Sequence, residues 1–458
     1  MANNLTFASV IQNRGFLNLW VNQILVQLSY NALNFALIIW VFRLTDSNMA
    51  VAAVLLAVYL PAVLFGLFSG VLVDITDRRK IIMTIDLLLS VAIFMLIPLK
   101  MSLPAILLIT FFINALVQFY GTAEISAIPL IVHKNQLVLA NAIFATTLYT
   151  SFLLGFGLAG PLINYLGIDF VFELGGLFLI MAFLLSLVFP SIRGALDTQS
   201  KTLILAFRKN DYSKFYEIGL KEIGETLRLI KGKLPVLSAI AILAGVQVVV
   251  GIIAVLAPGF LEKSLRINAT DASYVIVMPL GFGIVAGGVF LGRLGNKLIR
   301  RTVIAKAILF AGLLFFLEGI SPVISPAISH LPRPKPLPFV TQPPLSVVLT
   351  VGSFLLGIAL VSILVPSQTV LQENTPEEDR GKVFAVLGVA MSGLSLVPVL
   401  LSGLLADIFG TTPIFIGLGS VIMLIGLFGL KPSWFFRKKS LPLHVREFLG
   451  LGHWEGKS

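Results

Sequence analysis

The sequence contains no cysteine and only four histidines, and these two shortages exclude several kinds of site. Without cysteine there is no disulfide, no thiolate metal ligand and no cysteine nucleophile. The histidines are too widely separated in the chain to have the spacing of a metal site: His133, His330, His444 and His453. We therefore expect neither a metal ion nor any other cofactor.

Charge is also scarce. Charged residues make up 12% of the 458 residues, whereas 57% are hydrophobic. That is more apolar surface than one soluble core can bury. The net charge of +11 would suit a nucleic-acid partner, but most Lys and Arg residues lie between long apolar runs, where they orient the chain and contact anionic lipid. The composition predicts a polytopic membrane protein that does not bind nucleic acid.

Long apolar runs are what the sequence has in abundance. Runs of about 20 residues, enough to cross a hydrocarbon core of about 30 Å, number twelve and predict an all-α protein. The predicted helices are 16–42, 50–73, 81–99, 103–127, 140–165, 170–189, 236–258, 272–292, 302–320, 345–368, 383–406 and 412–430. They divide the chain into a six-helix half at 1–189, a linker at 190–235, a second six-helix half at 236–430 and a tail at 431–458.

The basic residues indicate the orientation. Of the 33 Lys and Arg residues, 26 fall in segments that lie on the same side as the N-terminus, and six fall on the other side. Basic residues favour the cytoplasmic side of a membrane. We therefore expect both termini in the cytoplasm, in a protein of the plasma (inner) membrane.

The apolar run that begins before Gly66 ends in five charges within seven residues. Its order, Gly70-x-x-x-Asp74-x-x-Asp77-Arg78-Arg79-Lys80, resembles the signature loop between helices 2 and 3 of the major facilitator superfamily. The resemblance implies a gating motif, in which Asp74 pairs with basic residues of this loop and with the start of helix 11. Gly66 and Gly70 share a helical face and would let another helix approach closely. The alternative is an ordinary positive-inside stop.

Other stretches extend the resemblance over nearly the whole chain. They are similar to the exporter branch that includes enterobactin-exporter-like and macrolide-efflux-like permeases: Asn13-Arg14-x-Phe16-x-x-Leu19-Trp20-x-x-Gln23, Pro129-Leu-Ile-Val132 and Arg380-Gly-Lys-Val-Phe384. Gly155-Phe-Gly157-Leu-Ala-Gly160-Pro161 is similar to the family's antiporter motif, although Ile163 and Asn164 replace its usual Gly-Gly pair. The resemblance implies two pseudo-symmetric six-helix halves.

Two predicted helices carry polar stripes. In helix 1 the stripe lies within roughly a 100° arc, and in helix 4 it follows one seam. Its members are Gln23, Gln27, Tyr30, Asn31 and Asn34 in helix 1, and Thr110, Asn114, Gln118 and Gly121 in helix 4. In lipid a polar face must be hidden, so these residues either line a substrate cavity or bond helices together. We favour the cavity, with Gln23, Gln27, Tyr30, Asn31, Asn34, Asn114 and Gln118 as the predicted substrate-binding residues.

Acidic residues inside predicted helices are candidates for carrying protons. Glu124 shares helix 4 with the polar stripe and is the first candidate for proton coupling, and Asp86 in helix 3 is the second. Glu173 and Glu318 lie near the outer ends of helices 6 and 9. The alternative for each is an interfacial carboxylate, because a charge at the midplane costs about 3 kcal/mol or more.

Together these features predict a secondary transporter that exports a small polar or amphiphilic organic molecule by alternating access, coupled to protons. We expect a monomer surrounded by membrane lipid. The alternatives are an importer or lysophospholipid flippase of the same fold, or a non-transporting scaffold or sensor. An enzyme is disfavoured, because there is no constellation of a nucleophile and a base or of metal ligands.

Two segments between helices have their own composition. The linker 190–235 mixes acidic and basic residues with leucines, which is typical either of an amphipathic helix at the membrane surface or of a solvated tether. The segment 321–344 holds eight prolines and predicts an extended loop.

Overall fold

The structure is a computed structural model that describes residues 7–192, 224, 228, 230, 233–294, 300–328, 344–376 and 379–430. Within these ranges the regular structure is helical, and twelve helices are long and apolar enough to cross a membrane, as predicted. We label them α1 (Arg14–Thr45), α2 (Asn48–Ile75), α3 (Arg78–Leu99), α4 (Leu103–Ile131), α5 (Leu137–Leu166), α6 (Ile168–Ser186), α7 (Leu234–Gly259), α8 (Met278–Leu294), α9 (Arg300–Ile328), α10 (Pro344–Glu373), α11 (Arg380–Phe409) and α12 (Thr411–Leu430).

The helix ends are set by local chemistry. Asn13 accepts hydrogen bonds from the backbone N–H groups of Gly15 and Phe16, and so caps the start of α1. Gly167 separates α5 from α6 with φ 86° and ψ 168°, and Gly410 separates α11 from α12 with φ 85° and ψ 164°. Only glycine adopts that conformation readily. The same junction therefore recurs between the last two helices of each half, which supports an internal repeat.

The chain forms two compact units, Met1–Glu225 with Gly388–Leu400 and Thr226–Leu387 with Leu401–Ser458. In the first unit, α1 packs along α5 and α6, α2 along α4, and α3 against α4 and α6. Gly155 of α5 lies so close to α1 that a Cβ there would be 2.6 Å from the Cβ of Asn31. Ser29 and Ser90 donate hydrogen bonds to the carbonyls of Gly175 and Gly176 in α6, over 2.9 and 3.1 Å. The glycines of α5 and α6 thus allow polar side chains to reach neighbouring backbones.

In the second unit the most extensive packing joins α9 to α12. A Cβ at Gly312 or Gly319 of α9 would lie 2.4 or 2.9 Å from a backbone nitrogen of α12, and one at Gly419 or Gly426 of α12 would lie 2.4 Å from a backbone nitrogen of α9. Small residues at a helix interface permit such close backbone approach in membranes. The contact continues over two turns and excludes any side chain at these four positions.

One sequence expectation fails at the end of α9. Residues 321–328, predicted as part of an extended loop, continue the helix to Ile328 despite Pro322 and Pro326. Proline is tolerated in membrane helices because neighbouring groups satisfy the freed carbonyls. Residues 329–343, the tail 431–458 and nearly all of the linker 190–235 lie outside the described residues, so the expectations for them stay predictions.

Candidate functional site

The signature loop is bonded to the segment that follows α6. Asp77 caps α3 by accepting from the backbone N–H of Arg79 over 3.1 Å. Its carboxylate also accepts from the hydroxyl of Ser191 over 2.6 Å and from the N–H of Ile192 over 3.0 Å. The guanidinium of Arg79 donates to the carbonyl of Leu187 over 2.6 Å. The sequence placed Asp77 and Arg79 in this motif, but not their partners after α6.

Arg78 is buried and donates its backbone N–H to the carbonyl of Ile192 over 3.0 Å, whereas the two glycines of the motif are less constrained. A Cβ at Gly70 would have no described atom within 4 Å, and one at Gly66 would lie 3.8 Å from Val389, which is an ordinary contact. Among the described residues, no helix makes the close approach expected at these two glycines. The side chain of Asp74 lies outside the described residues, so its expected pairing stays a prediction. Lys80 is exposed.

The polar stripe of α1 divides into two groups. Gln23 is 2% exposed and donates to the carbonyl of Phe144 in α5, while its Oε1 has no hydrogen-bond partner. Asn31 is 7% exposed and bonds to Gln27, one turn earlier. The half-buried members of the stripe are Gln27, Tyr30 and Asn34. The stripe thus has one part turned toward α5 and another part that a ligand could reach.

The stripes of α1 and α4 meet at one hydrogen bond. The Tyr30 hydroxyl donates to Oδ1 of Asn114 over 2.7 Å, and the amide of Asn114 donates to the Thr110 carbonyl over 2.8 Å. Asn114 is buried, whereas Gln118 is half-buried. Tyr30, Asn114 and Gln118 therefore form one polar patch on neighbouring helices.

The two proton-coupling candidates belong to one hydrogen-bonded chain. Asn22 of α1 donates from Nδ2 to the carboxyl of Asp86 over 2.8 Å, and to the Ala182 carbonyl over 3.0 Å. The Tyr120 hydroxyl lies 2.8 Å from Oδ1 of Asn22 and 3.1 Å from Oε1 of Glu124. Asp86, Asn22, Tyr120 and Glu124 are each at most 3% exposed. We call these four residues the carboxyl relay.

The relay lies at one depth in its helices. Asn22 and Asp86 are each eight residues from the start of α1 and α3, and Glu124 is seven residues from the end of α4. At about 1.5 Å per residue these positions are roughly 10–12 Å from the helix ends. No ion pair involves either carboxyl within the described part of the chain, and Oδ1 of Asp86 has no hydrogen-bond partner. The relay therefore has two acids and no base.

Sequence reasoning missed Asn22 and Tyr120. Asn22 precedes Gln23 and so lies about 100° around the helix from the stripe, while Tyr120 is four residues before Glu124. The i,i+4 spacing of Tyr120 and Glu124 on one helix was the available signal. Glu173, by contrast, is exposed on α6, away from the relay. Among the described residues no group of three or more His, Asp or Glu side chains could hold a metal ion.

Comparison with known proteins places this architecture. The sequence profile of the Major Facilitator Superfamily matches residues 19–331 and 336–450. The chain belongs to the major facilitator superfamily. It is 26% identical over 418 residues to macrolide efflux protein A of Streptococcus pyogenes, which covers 90% of this chain and 94% of the relative. It is therefore a multi-pass membrane transporter rather than an enzyme.

Solved structures agree on the fold of this superfamily member. A POT family transporter in complex with 5-aminolevulinic acid superposes with a TM-score of 0.67 at 14% identity, covering 91% of this chain and 96% of that one. The nucleoside transporter NupG gives a TM-score of 0.65 at 13% identity, covering 91% and 98%. At such identities the likeness concerns the fold alone.

Proposed function

We propose that the protein exports a small polar or amphiphilic organic molecule across the plasma membrane in exchange for protons, by alternating access, with both termini in the cytoplasm. The carboxyl relay carries the proton part of this proposal, because it links two buried acids through the hydrogen bonds of Asn22 and Tyr120. The direction follows the similarity to macrolide efflux protein A. The orientation follows the excess of Lys and Arg on one side of the predicted spans.

The relay has the composition that proton carriage requires. Two carboxyl groups out of water, with no cation bonded to them, are stable only if they hold a proton. When Glu124 loses its proton, the Tyr120 hydroxyl turns to the charged carboxylate, because a charged acceptor bonds more strongly than an amide oxygen. Oδ1 of Asn22 then loses its donor. Because Nδ2 of the same amide donates to Asp86, the loss of that hydrogen bond also alters the bond to the Asp86 carboxyl. We infer that Glu124 and Asp86 bind and release protons as one unit.

The half-buried polar residues are the proposed substrate contacts. Four of them are uncharged and keep some exposed surface: Gln27, Tyr30, Asn34 and Gln118. Asn114 is buried and accepts a hydrogen bond from the Tyr30 hydroxyl, which fixes the position of that hydroxyl. Gln23 and Asn31 would reach a substrate only after giving up bonds within the protein. An uncharged patch suits a molecule without strong negative charge, because binding a strongly anionic molecule would need buried Arg or Lys. A macrolide is the first substrate to test.

We also propose that the protein works as a monomer in contact with lipid. Both halves of the superfamily fold are present in one chain, so a second copy is not needed to complete the helix bundle. Large apolar side chains such as Leu108, Val138 and Ile125 are 71%, 83% and 68% exposed, which suits contact with hydrocarbon.

The test is gradient-driven transport by the purified protein in liposomes, with a radiolabelled macrolide. An imposed pH gradient should drive accumulation by the wild type. Glu124→Gln should abolish that accumulation yet keep exchange down a concentration gradient, because exchange needs no net proton movement. Glu173→Gln removes an exposed acid and serves as the matched control. Full accumulation by both Glu124→Gln and Asp86→Asn would leave uniport or another ion as the mechanism.

A further inference from the structure

The second unit contains an apolar cavity of about 330 Å³ that is lined by residues of α7, α8, α9, α10 and α12. Its walls include Val246, Val249, Phe315, Leu356 and Ile422. All the lining residues lie in helices that are candidate membrane spans. The cavity therefore lies at the depth of the membrane's hydrocarbon core, where apolar walls are expected.

A carboxyl group lies one turn beyond the cavity walls. Glu318 follows Phe315 by three residues on α9, and Gly352 precedes Leu356 by four residues on α10, so each shares a helix face with a cavity residue. The two residues touch, since a Cβ at Gly352 would be 2.5 Å from Oε1 of Glu318. Glu318 is 8% exposed, and its Oε1 has no hydrogen-bond partner. The glycine leaves room for the carboxyl.

No ion pair involves Glu318 among the described residues, although Lys263 and Arg266 follow α7 at the same end of the helices as Glu318. Neither α7 nor α12 contains a charged residue, and α10 contributes only Glu373, 21 residues from Gly352. On α9 the nearest base in sequence is Lys306, twelve residues and roughly 18 Å away, with Arg300 and Arg301 further still. On α8 the base is Arg293, at the opposite end of the helix from its contact with α10 through Gly283. The apolar cavity thus adjoins, one turn beyond its walls, one acid that has no ion pair among the described residues.

We propose that this cavity binds a lipophilic ammonium ion, with its apolar body against Phe315 and Leu356 and its positive charge on the carboxylate of Glu318. The apolar walls favour burial of hydrocarbon or aromatic surface. A cation supplies the missing partner for Glu318, and such a charged pair is strong in a medium of low dielectric. The cation takes the place of the proton that a buried carboxyl without a counter-ion holds, and this proton is released when the cation binds. In naming a substrate class the inference rests on the proposed export function, but binding itself does not depend on transport.

Equilibrium binding of radiolabelled tetraphenylphosphonium to the purified full-length protein in detergent tests the site. This probe is apolar and keeps its positive charge at every pH. The wild type should bind it saturably, and the uncharged triphenylphosphine oxide should not displace it. Glu318→Gln should weaken binding roughly tenfold or more, because the attraction between two opposite charges in a medium of low dielectric is lost. Glu173→Gln, which removes an exposed acid of the first unit, should bind like the wild type.

Two glycine variants test the geometry while keeping the charge. Gly245 lines the cavity and a Cβ there meets no atom within 4 Å, so Gly245→Leu should fill the space and weaken binding. Gly417→Leu, at an exposed glycine of α12 with equally open surroundings, is its control. Gly352→Ala should push the carboxyl of Glu318 aside and also weaken binding. Size-exclusion profiles and thermal unfolding show that each variant is folded.

The outcomes separate this site from the coupling proposal. Glu124→Gln should bind tetraphenylphosphonium normally even though gradient-driven transport is lost. If the wild type shows no saturable binding, or if folded Glu318→Gln and Gly245→Leu bind like the wild type, the cavity is not a site for lipophilic cations. Failure of proton-driven transport in the wild type, with binding that still depends on Glu318, would overturn the coupling proposal and leave this site standing.

Discussion

Tyr30 donates a hydrogen bond from its hydroxyl to Oδ1 of Asn114 over 2.7 Å, and so joins α1 to α4. The two residues belong to polar stripes that the sequence shows separately. Tyr30 is half-buried and Asn114 is 2% exposed, so the tyrosine forms the accessible part of the pair. A substrate that bonds to the Tyr30 hydroxyl would therefore also affect the hydrogen bond between Tyr30 and Asn114 of α4.

Tyr30→Phe tests this contact. The variant removes one hydroxyl and its hydrogen bond, worth about 0.5–1.5 kcal/mol, so apparent affinity for substrate should weaken roughly two- to tenfold. The measurement is the concentration dependence of transport in liposomes. Tyr149→Phe removes an equivalent hydroxyl from a side chain that is 61% exposed, and should have no effect. Unchanged affinity in Tyr30→Phe would remove this residue from the substrate site.

Gln23 and Gln27 should respond differently to alanine. Gln23 is buried against α5 through its bond to the Phe144 carbonyl, so Gln23→Ala should lower the free energy of unfolding by about 1–3 kcal/mol. Gln27 is half-buried, so Gln27→Ala should mainly weaken substrate affinity. Thermal unfolding in detergent and transport kinetics on both variants give the comparison. The reverse pattern would place Gln23 in the cavity and Gln27 in a structural role.

Tyr120→Phe should disconnect the carboxyl relay. Without the hydroxyl, Asn22 Oδ1 loses its donor and Glu124 Oε1 loses its hydrogen-bond partner, so the two carboxyls are no longer connected. We expect proton-driven accumulation to fall severalfold more than downhill exchange, whereas a purely structural defect would lower both equally. Each rate is measured at matched protein abundance. Tyr165→Phe, at a side chain that is 87% exposed, is the control.

Asp77→Ala should loosen the signature loop. The carboxylate caps α3 and holds Ser191 and Ile192, so its loss should cost about 1–2 kcal/mol or more of stability. Ser191→Ala removes one of these bonds and should cost less. Thermal unfolding of the two variants gives the order, and a larger effect from Ser191→Ala would contradict it.

Asp74→Asn should slow transport while membrane abundance stays near normal, because the resemblance to the superfamily motif gives this charge a role in switching. The measurement is turnover at matched abundance. Wild-type turnover in the variant would show that the charge at this position does not govern the conformational change.

The number and type of helices could be predicted because the bilayer imposes a simple requirement of length and hydropathy. Every predicted span corresponds to an observed helix, although residues 321–328 were assigned to a loop. The sequence rule that failed treats proline as a helix breaker. That rule carries less weight for Pro322 and Pro326, because they lie near the C-terminal end of a membrane helix.

The candidate site was predicted only in part. Glu124 and Asp86 could be singled out because buried acids are rare in membrane helices, but their connection could not, since it depends on how α1 packs against α3 and α4. Asn22 lies on a different face of α1 from the stripe. Its role follows only from the packing of that face against Asp86 and Tyr120. Gly352 likewise becomes significant only because Glu318 lies against it.

The glycines that join α9 to α12 restrict how the second unit can change shape. Each of the four glycines brings one backbone against the other: Gly312, Gly319, Gly419 and Gly426. The two helices are therefore fixed in their register along the contact. If one helix slid along the other by one turn, larger side chains would replace these glycines at the contact and would clash with the backbone of the other helix. The pair must then move as one rigid unit during a transport cycle, so any movement that opens or closes the apolar cavity falls to the other helices that line it, α7, α8 and α10.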